Sequence, residues 1–306
     1  MSELEHKVQK SIERLKAFEP EEGYHLAFSG GKDSVVCKAL LDMSGCKYNA
    51  VYRVTSVDPP ELVKFIKKEH PDVVREIPRF SDNYKNPKLA GKPVTMWNLI
   101  PEKKIPPSRK IRYCCEYLKE SAGDNKMVVT GVRWAESPNR KNNQGAVTIM
   151  GKKIVKEIGD NQNFKVGEKG RGAILTNDNI ESRRMIEQCY KRHKTTVNPI
   201  IEWTDDDVWE FIKGNGVRYC SLYDEGFTRI GCIACPLAMK KDREKELFRW
   251  PFAKRAYIHA FEKMLENRKN NGMGNILWPT VEHAMKWFLE SDILPGQYSF
   301  FEEEEE

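Results

Sequence analysis

Short apolar runs alternate with amphipathic stretches along this chain, a pattern typical of strands and helices that follow one another. Val8, Ile12 and Leu15 recur at helical spacing and predict a first helix over residues 5–17. Apolar and β-branched runs predict strands at 24–28, 48–54, 73–77, 127–131 and 198–201, with a helix over 61–69. This alternation predicts an α/β fold with a doubly wound, mainly parallel sheet.

The pattern changes after residue 140 and again after residue 238. Residues 141–196 predict a β-hairpin and helix inserted into an α/β domain that spans residues 1–238. The insertion carries twelve Lys and Arg against six Asp and Glu. We expect it to cover the site, to contact a partner, or to be a solvent-exposed segment with neither role. A helical C-terminal region is expected over 239–301, followed by an acidic tail at 302–306. The core candidates of the helical region are Phe248, Phe252, Phe261 and Leu265.

Length and cysteine content narrow the class of protein. At 306 residues the chain is long enough for one α/β domain of about 200 residues with an appendage. No apolar run approaches the length of a membrane span, and the charged start of the chain lacks the apolar core of a signal peptide. We therefore expect a cytoplasmic protein without a membrane partner. In that reducing compartment, eight cysteines indicate ligands or catalysts rather than disulfides.

The charge of the chain is unevenly distributed. The formal net charge is +6, but the final five glutamates contribute −5, so residues 1–301 carry +11. A basic body favours an anionic substrate, although charge alone does not distinguish a nucleotide from a nucleic acid.

The run Ser-Gly-Gly-Lys-Asp-Ser at Ser29–Ser34 lies between a predicted strand and a predicted helix. Gly30 and Gly31 allow a sharp turn and a close approach to a ligand. Unpaired amides and the positive end of the helix dipole then face an anion, while Lys32 adds a point charge and Ser29 and Ser34 add hydroxyl donors. The composition favours a phosphate site over an ordinary strand–turn–helix joint.

This loop resembles the PP-loop of the adenine nucleotide alpha hydrolase superfamily, which includes ATP pyrophosphatases, tRNA thiolases and the adenylyl-sulfate and phosphoadenylyl-sulfate reductases. It differs from the G-x-x-x-x-G-K-[ST] loop, because the second glycine and the Lys-Ser/Thr pair are absent. The resemblance implies an adenosine nucleotide as ligand and chemistry at its α-phosphate. It also implies that Asp33 orients Mg²⁺ or a phosphate-bound water when ATP is the substrate; by itself, Asp33 is equally a partner of the helix dipole.

Two cysteine pairs form a second group of candidate residues. Cys114 and Cys115 are adjacent, and Cys232 and Cys235 form a CxxC. Adjacent cysteines diverge, so binding both to one zinc ion strains the backbone, whereas an iron–sulfur cube offers several corners. The four cysteines therefore predict a [4Fe–4S] cluster, with zinc and four buried free cysteines as the alternatives.

The same cysteine arrangement resembles that of adenylyl-sulfate reductases, which carry a [4Fe–4S] cluster beside the nucleotide site. Basic residues next to the first pair would offset the negative charge of such a cluster; they are Arg109, Lys110 and Arg112.

Further segments resemble the phosphoadenylyl-sulfate reductase family. Gly131-Val132-Arg133-Trp134-Ala135-Glu136-Ser137 resembles its G-x-R-x-x-E-S segment, which implies that Arg133 contacts acidic groups of the nucleotide; the alternative is a surface salt bridge with Glu136. Residues 198–209 resemble its P-L-x-x-W-T-x-x-D-V-W segment, in which we expect Thr204 to cap a helix. The turns at 55–60 and 131–140 follow predicted strands and add Asp58 and Gly131 to the nucleotide-binding candidates. The catalytic candidates are Lys32, Asp33 and Arg133.

One expected feature of that family is absent from this sequence. The reductases end in a Glu-Cys-Gly-Leu-His segment whose cysteine attacks the sulfate sulfur, and no cysteine follows Cys235 here. The first functional hypothesis remains reduction of adenylyl sulfate or phosphoadenylyl sulfate with electrons from a thioredoxin-like donor. The second is an ATP-dependent sulfur transferase that adenylates a tRNA or DNA acceptor and lets a cluster-associated sulfur displace AMP. The third is a catalytically silent subunit that binds nucleotide and cluster.

Overall fold

The computed structural model describes residues 2–120, 125–170 and 172–290. Its contacts define two compact units, each assembled from separated segments. The first comprises Met1–Arg53, Pro60–Glu76 and Ala122–Ile230, and the second comprises Val54–Pro59, Ile77–Ser121 and Gly231–Glu306. The predicted domain boundary between residues 238 and 239 stays a prediction, and the predicted tail at 302–306 lies outside the described residues.

The first unit contains one eight-stranded sheet in the order β3-β2-β1-β4-β8-β5-β7-β6. Its strands are β1 (Tyr24–Ala27), β2 (Tyr48–Arg53), β3 (Val74–Glu76), β4 (Met127–Val129), β5 (Val147–Met150), β6 (Phe164–Val166), β7 (Gly172–Leu175) and β8 (Thr195–Val197). The first five in this spatial order run parallel, and the other three pair antiparallel. The predicted doubly wound, mainly parallel sheet is therefore confirmed.

Helices follow the parallel strands as the apolar periodicity predicts. Those of the first unit are α1 (Glu3–Ala17), α2 (Lys32–Ser44), α3 (Pro60–Glu69), α6 (Pro138–Asn143), α7 (Lys152–Ile158), α8 (Ile180–Tyr190) and α9 (Asp205–Gly214). A capping box formed by Ser2 and Glu5 starts α1, and Leu15 of that helix is fully buried. Parallel strands buried on both faces need continuous apolar sequence, which Val128 and Val129 supply in β4.

Residues 141–196 contain the antiparallel part of the sheet. A hairpin joins β6 to β7, and β5 pairs with both β7 and β8. The prediction of a strand at 198–201 is wrong, because the strand is Thr195–Val197 and residues 199–202 form a turn. The β-branched side chains of that strand favour the extended backbone, whereas Pro199 has no N–H to donate to a ladder.

The second unit is helical within the described residues. It contains α4 (Met96–Lys103), α5 (Tyr113–Cys115) with a π-helical turn at Glu116–Glu120, α10 (Lys240–Arg249), α11 (Pro251–Asn270) and α12 (Val281–Glu290). The helical C-terminal region is thus present. Phe261 and Leu265 of α11 are buried as predicted, but Phe248 and Phe252 are exposed. Leu247 occupies the buried face of α10, and a rotation of about 100° per residue directs Phe248 to solvent.

Within the described part of the chain, no helix combines the length and apolar character needed to cross a membrane.

Candidate functional site

The predicted anion loop links the carboxyl end of β1 to the first residue of α2. Gly30 has a φ of +74°, and a Cβ there would lie 2.7 Å from Leu62 Cδ1 and 2.9 Å from Ile66 Cδ1. Both the conformation and the space therefore require glycine. Gly31 is the N-cap of α2 and provides no side-chain cap to this helix start.

The two serines of the loop stabilise its turn. The hydroxyl of Ser34 donates to the Gly31 carbonyl over 2.9 Å and accepts from the Ser29 amide over 3.3 Å. The Ser29 hydroxyl lies 3.2 Å from the Ser34 hydroxyl and accepts from the Gly31 amide over 3.4 Å. These contacts fix the loop backbone, so that the amides of the turn keep one orientation.

Tyr223 is a residue of this site that sequence reasoning missed. The Lys32 amide donates to the Tyr223 hydroxyl over 2.8 Å, at the helix terminus where an anion would accept. Packing against Trp209, with ring centroids 5.1 Å apart, holds the tyrosine in place. Burial raises the pKa of Tyr223, so the hydroxyl keeps its proton as a donor for a ligand. Its 191-residue separation from Lys32 left no local sequence signal.

Arg133 is buried in a network of carboxylates. Its guanidinium donates from Nε to Asp33 Oδ1 over 2.7 Å, from Nη2 to Asp205 Oδ1, and from Nη1 to the Trp203 carbonyl. Its side chain is only 2% exposed. The alternative prediction of a surface salt bridge to Glu136 is wrong, because Glu136 accepts from the main-chain amide of Arg133 instead.

Lys32 completes this group of charges. Its Nζ lies 3.8 Å from Asp33 Oδ2 and 3.5 Å from Asp205 Oδ1. Burial alone raises the pKa of Asp205, but hydrogen bonding to Arg133 and the charges of Lys32 and Arg133 hold it below its usual range. Burial lowers the pKa of Arg133, and the carboxylates of Asp33 and Asp205 more than offset this effect and raise it. The site therefore brings two basic side chains, Lys32 and Arg133, together with the carboxylates of Asp33 and Asp205.

Gly131 follows β4 and lies directly against Asp33 of the loop site. A Cβ at this position would lie 2.8 Å from Asp33 Cβ and 3.0 Å from the Asp33 carbonyl carbon. Since β1 and β4 are neighbouring parallel strands, the turns after them meet at one edge of the sheet. Gly131 thus allows Asp33 and Arg133 to approach each other.

Gly131→Ala should destabilise the protein by about 1–3 kcal/mol, the usual cost of forcing an extra carbon into close-packed structure. Urea unfolding followed by circular dichroism measures this change. Gly214→Ala is the matched control, since a Cβ at Gly214 meets no atom within 4 Å. An equal loss of stability in both variants would contradict the assignment of Gly131 as a close-approach position.

The CxxC segment is a tight turn held by hydrogen bonds of the second unit. The Ile233 amide donates to the Val57 carbonyl over 2.8 Å, and the Cys235 amide to the Cys232 carbonyl over 3.1 Å. Ala234 has a φ of +55° and donates its amide to Glu246 Oε2 over 2.6 Å. Because this turn is fixed by the surrounding chain, Cys232 and Cys235 are presented from a rigid backbone.

All four predicted ligand cysteines belong to the second unit and influence one another. Hydrogen bonding to Cys115 raises the pKa of Cys114, and burial and the charges of Cys115, Cys232 and Cys235 raise it further. Hydrogen bonding from Cys114 lowers the pKa of Cys115, and Arg112 lowers it as well, although burial opposes both effects. The pKa values of the Cys114 and Cys115 thiols therefore respond to the neighbouring cysteines.

Cations accompany these thiols. Arg112 hydrogen-bonds to Cys115, and the charge of Cys232 is the main cause that raises the pKa of Lys119. The Cys232 thiol also lies 3.6 Å from Thr55 Oγ1. Arg109 contacts carbonyls instead, those of Leu237 and Ala238. Of the three basic residues predicted to offset a cluster charge, Arg112 is the one in contact with a thiol.

Chemically, four cysteines of one unit, with Arg112 and Lys119 influenced by their thiols, are a donor set that suits a thiolate-ligated group. Among the residues that the structure describes, no three His, Cys, Asp or Glu side chains form a group arranged to hold a metal ion. The ligand assignment of the four cysteines stays a prediction.

Asp58 and Asp205 lie in different units of the structure. Asp58 belongs to the second unit, where its carboxylate accepts from the Thr55 amide over 3.0 Å and raises the pKa of Lys119. Its role as a nucleotide ligand stays a prediction. Asp205 was not among the site residues predicted from the sequence, yet it contacts both cations of the loop site.

The mainly parallel sheet brings a strand, a Gly-Gly turn and a helix N-terminus together with a lysine and a buried arginine. This arrangement is typical of α/β proteins of the PP-loop class. Residues 23–238 match the phosphoadenosine phosphosulfate reductase domain family, which is more than half of the chain, and the protein belongs to this family.

Individual relatives are more distant. An uncharacterized protein of Methanocaldococcus jannaschii is 27% identical over 231 residues, which are 72% of this chain and 44% of the relative. An adenosine 5′-phosphosulfate reductase of Oceanobacillus iheyensis is 44% identical over 54 residues, 18% of this chain and 22% of the relative. This chain therefore spans less than half the length of these two relatives.

Among solved structures, a phosphoadenylyl-sulfate reductase from Candida auris has 13% sequence identity and a TM-score of 0.40, covering 76% of this chain and 96% of the other.

Proposed function

We propose that this chain binds an adenylyl nucleotide at the loop Ser29–Ser34 and reduces adenylyl sulfate or phosphoadenylyl sulfate to sulfite. The observation that carries the proposal is the meeting of Lys32 and the buried Arg133 at the N-terminus of α2. Two cations and a helix dipole stabilise an anionic substrate more than any other ligand class. Family membership supports the choice of a sulfate-bearing adenylyl nucleotide.

In this reaction the residues of the loop bind and orient the substrate. The amides of the turn and Lys32 would hold the phosphate, and Arg133 would neutralise charge on the phosphate and leaving AMP. Two thiols of a thioredoxin-like donor are oxidised to a disulfide while the sulfate sulfur gains two electrons and leaves as sulfite. The other product is AMP from adenylyl sulfate, or adenosine 3′,5′-bisphosphate from phosphoadenylyl sulfate, and two protons are released.

The cofactor proposed for the second unit is a [4Fe–4S] cluster held by Cys114, Cys115, Cys232 and Cys235, with zinc as the alternative. When bound, such a cluster supplies a redox-active group with negative charge, which Arg112 and Lys119 are placed to offset. If ATP is the substrate, Asp33 is the proposed carboxylate for Mg²⁺.

A second candidate is ATP-dependent sulfur transfer to tRNA or DNA, and the remaining cysteines favour it. Cys37, Cys46, Cys189 and Cys220 are all buried, and burial raises the pKa of each thiol. None of these four is therefore an activated nucleophile for attack on a sulfate sulfur. In the alternative reaction, an acceptor oxygen attacks the α-phosphate of ATP and releases pyrophosphate, and a sulfur donor then displaces AMP. The basic insertion 141–196 suits a nucleic-acid acceptor.

Product analysis distinguishes the two reactions. Anaerobically purified protein is incubated with ATP, adenylyl sulfate or phosphoadenylyl sulfate, and sulfite, pyrophosphate and AMP are measured. We expect sulfite from a sulfated nucleotide when reduced thioredoxin is present. Pyrophosphate that forms only with added tRNA or DNA would establish the second candidate instead. Nucleotide binding with no turnover of any substrate would identify a silent subunit and contradict both.

A further inference from the structure

The anion position of the loop site is filled by a carboxylate of the chain itself. One oxygen, Asp205 Oδ1, accepts from Arg133 Nη2 and lies 3.5 Å from Lys32 Nζ. These are the same two cations that the proposed function assigns to the substrate. With Asp33 also paired to Arg133, two positive charges face two negative charges, and the ligand-free site is close to neutral.

The two carboxylates differ in how readily a ligand could displace them from Arg133. Asp33 is the second residue of α2, is 24% exposed, and packs so closely on Gly131 that a single added carbon would clash. Asp205 is 63% exposed and is the first residue of α9. When its side chain turns away from Arg133, water and the positive end of the helix dipole still stabilise its charge. Asp205 is therefore the carboxylate that a ligand can displace.

We propose that Asp205 is an internal competitor of the ligand anion, which occupies the position between Lys32 and Arg133 and gives it up to a ligand oxyanion. This inference rests on the proposed nucleotide site. A phosphate or sulfate group replaces the ion pairs of Asp205 with charge-assisted hydrogen bonds of its own, whereas an uncharged ligand leaves those pairs in place. Asp205 thus lowers the affinity of the site for anions and leaves the affinity for uncharged nucleosides unchanged.

Removing the charge of Asp205 should therefore tighten anion binding. We expect Asp205→Asn to bind inorganic pyrophosphate and AMP about tenfold more tightly, the order expected when a partly exposed charge-assisted pair no longer competes. Adenosine, which has no charge, should bind both proteins with equal affinity. Isothermal titration calorimetry at constant ionic strength, without divalent cations, measures all three ligands.

Asp206→Asn is the matched control, because Asp206 lies in the same first turn of α9. Like Asp205→Asn, it removes one negative charge near the positive end of the helix dipole. Its affinities should equal those of the wild type. Asp205→Glu keeps a carboxylate and should restore most of the wild-type affinity. Thermal melting checks that all variants fold.

A purely structural role for Asp205 predicts the opposite sign. If Asp205 only anchors Arg133, Asp205→Asn would bind pyrophosphate more weakly than the wild type, and this result, or an unchanged affinity, would overturn the inference while leaving the nucleotide site intact. Failure of pyrophosphate and AMP to bind either protein would overturn the proposed function as well.

Discussion

Lys32→Ala should weaken the binding of pyrophosphate and AMP by about a hundredfold, the effect of losing one buried charge-assisted contact to an anion. The reason is twofold. The variant loses a cation whose side chain is only 9% exposed, and Asp33 and Asp205 then outnumber Arg133 in the site. A site that was close to neutral becomes negative and repels the ligand. Calorimetric titration measures the change.

Lys38→Ala provides the control for this experiment. Lys38 belongs to the same helix α2, but its Nζ pairs with Asp72 at 3.0 Å and with Asp42 at 3.4 Å, away from the loop. The variant removes the same charge and should keep wild-type affinity. Equal weakening in both variants would show that overall charge, rather than the loop, controls nucleotide binding.

Cys232→Ser should abolish assembly of the metal centre proposed for the second unit. A serine hydroxyl is a poor ligand for iron or zinc compared with a thiolate, and three remaining cysteines leave one coordination position without sulfur. Anaerobic protein should lose most of its iron and its visible absorbance, and binding of AMP provides an independent check that the variant is folded. Metal analysis also decides between the two proposed centres, since stoichiometric zinc in the wild type would contradict the iron–sulfur assignment.

Cys46→Ser is the matched control for the cysteine experiment. Cys46 is buried and lies outside the predicted ligand set, and its amide donates a hydrogen bond to the Ser44 hydroxyl over 3.2 Å. We expect this variant to retain wild-type iron content and absorbance. Loss of iron in Cys46→Ser as well would mean that general damage to the fold, and not loss of a ligand, removes the metal.

Most of the fold was predictable because its signals are local. The runs around Leu26 and Val129 are apolar enough to identify buried parallel strands, and Val8, Ile12 and Leu15 identify the first helix by their spacing. The turn at Gly30 was equally predictable, since a glycine pair between a strand and a helix is typical of a sharp turn.

The errors arose where two neighbouring positions satisfy the same pattern. Phe248 is apolar and helical, but Leu247 occupies the buried face, and periodicity alone did not decide between them. The strand predicted at 198–201 begins a few residues after the observed strand Thr195–Val197. The apolar pair Ile200-Ile201 is buried in a turn and not in the sheet. In both places tertiary packing selected the outcome.

The sequence alone predicted the class of ligand at Ser29–Ser34 and determined the turn that would hold it, because backbone conformation, helix dipole and the lysine charge are properties of contiguous residues. Only the tertiary structure decided which groups complete the site. Tyr223 on the Lys32 amide and Asp205 between Lys32 and Arg133 come from segments 191 and 72 residues distant from their partners. Contacts across such separations are set by how the helices pack on the sheet, and no periodicity along the chain records them.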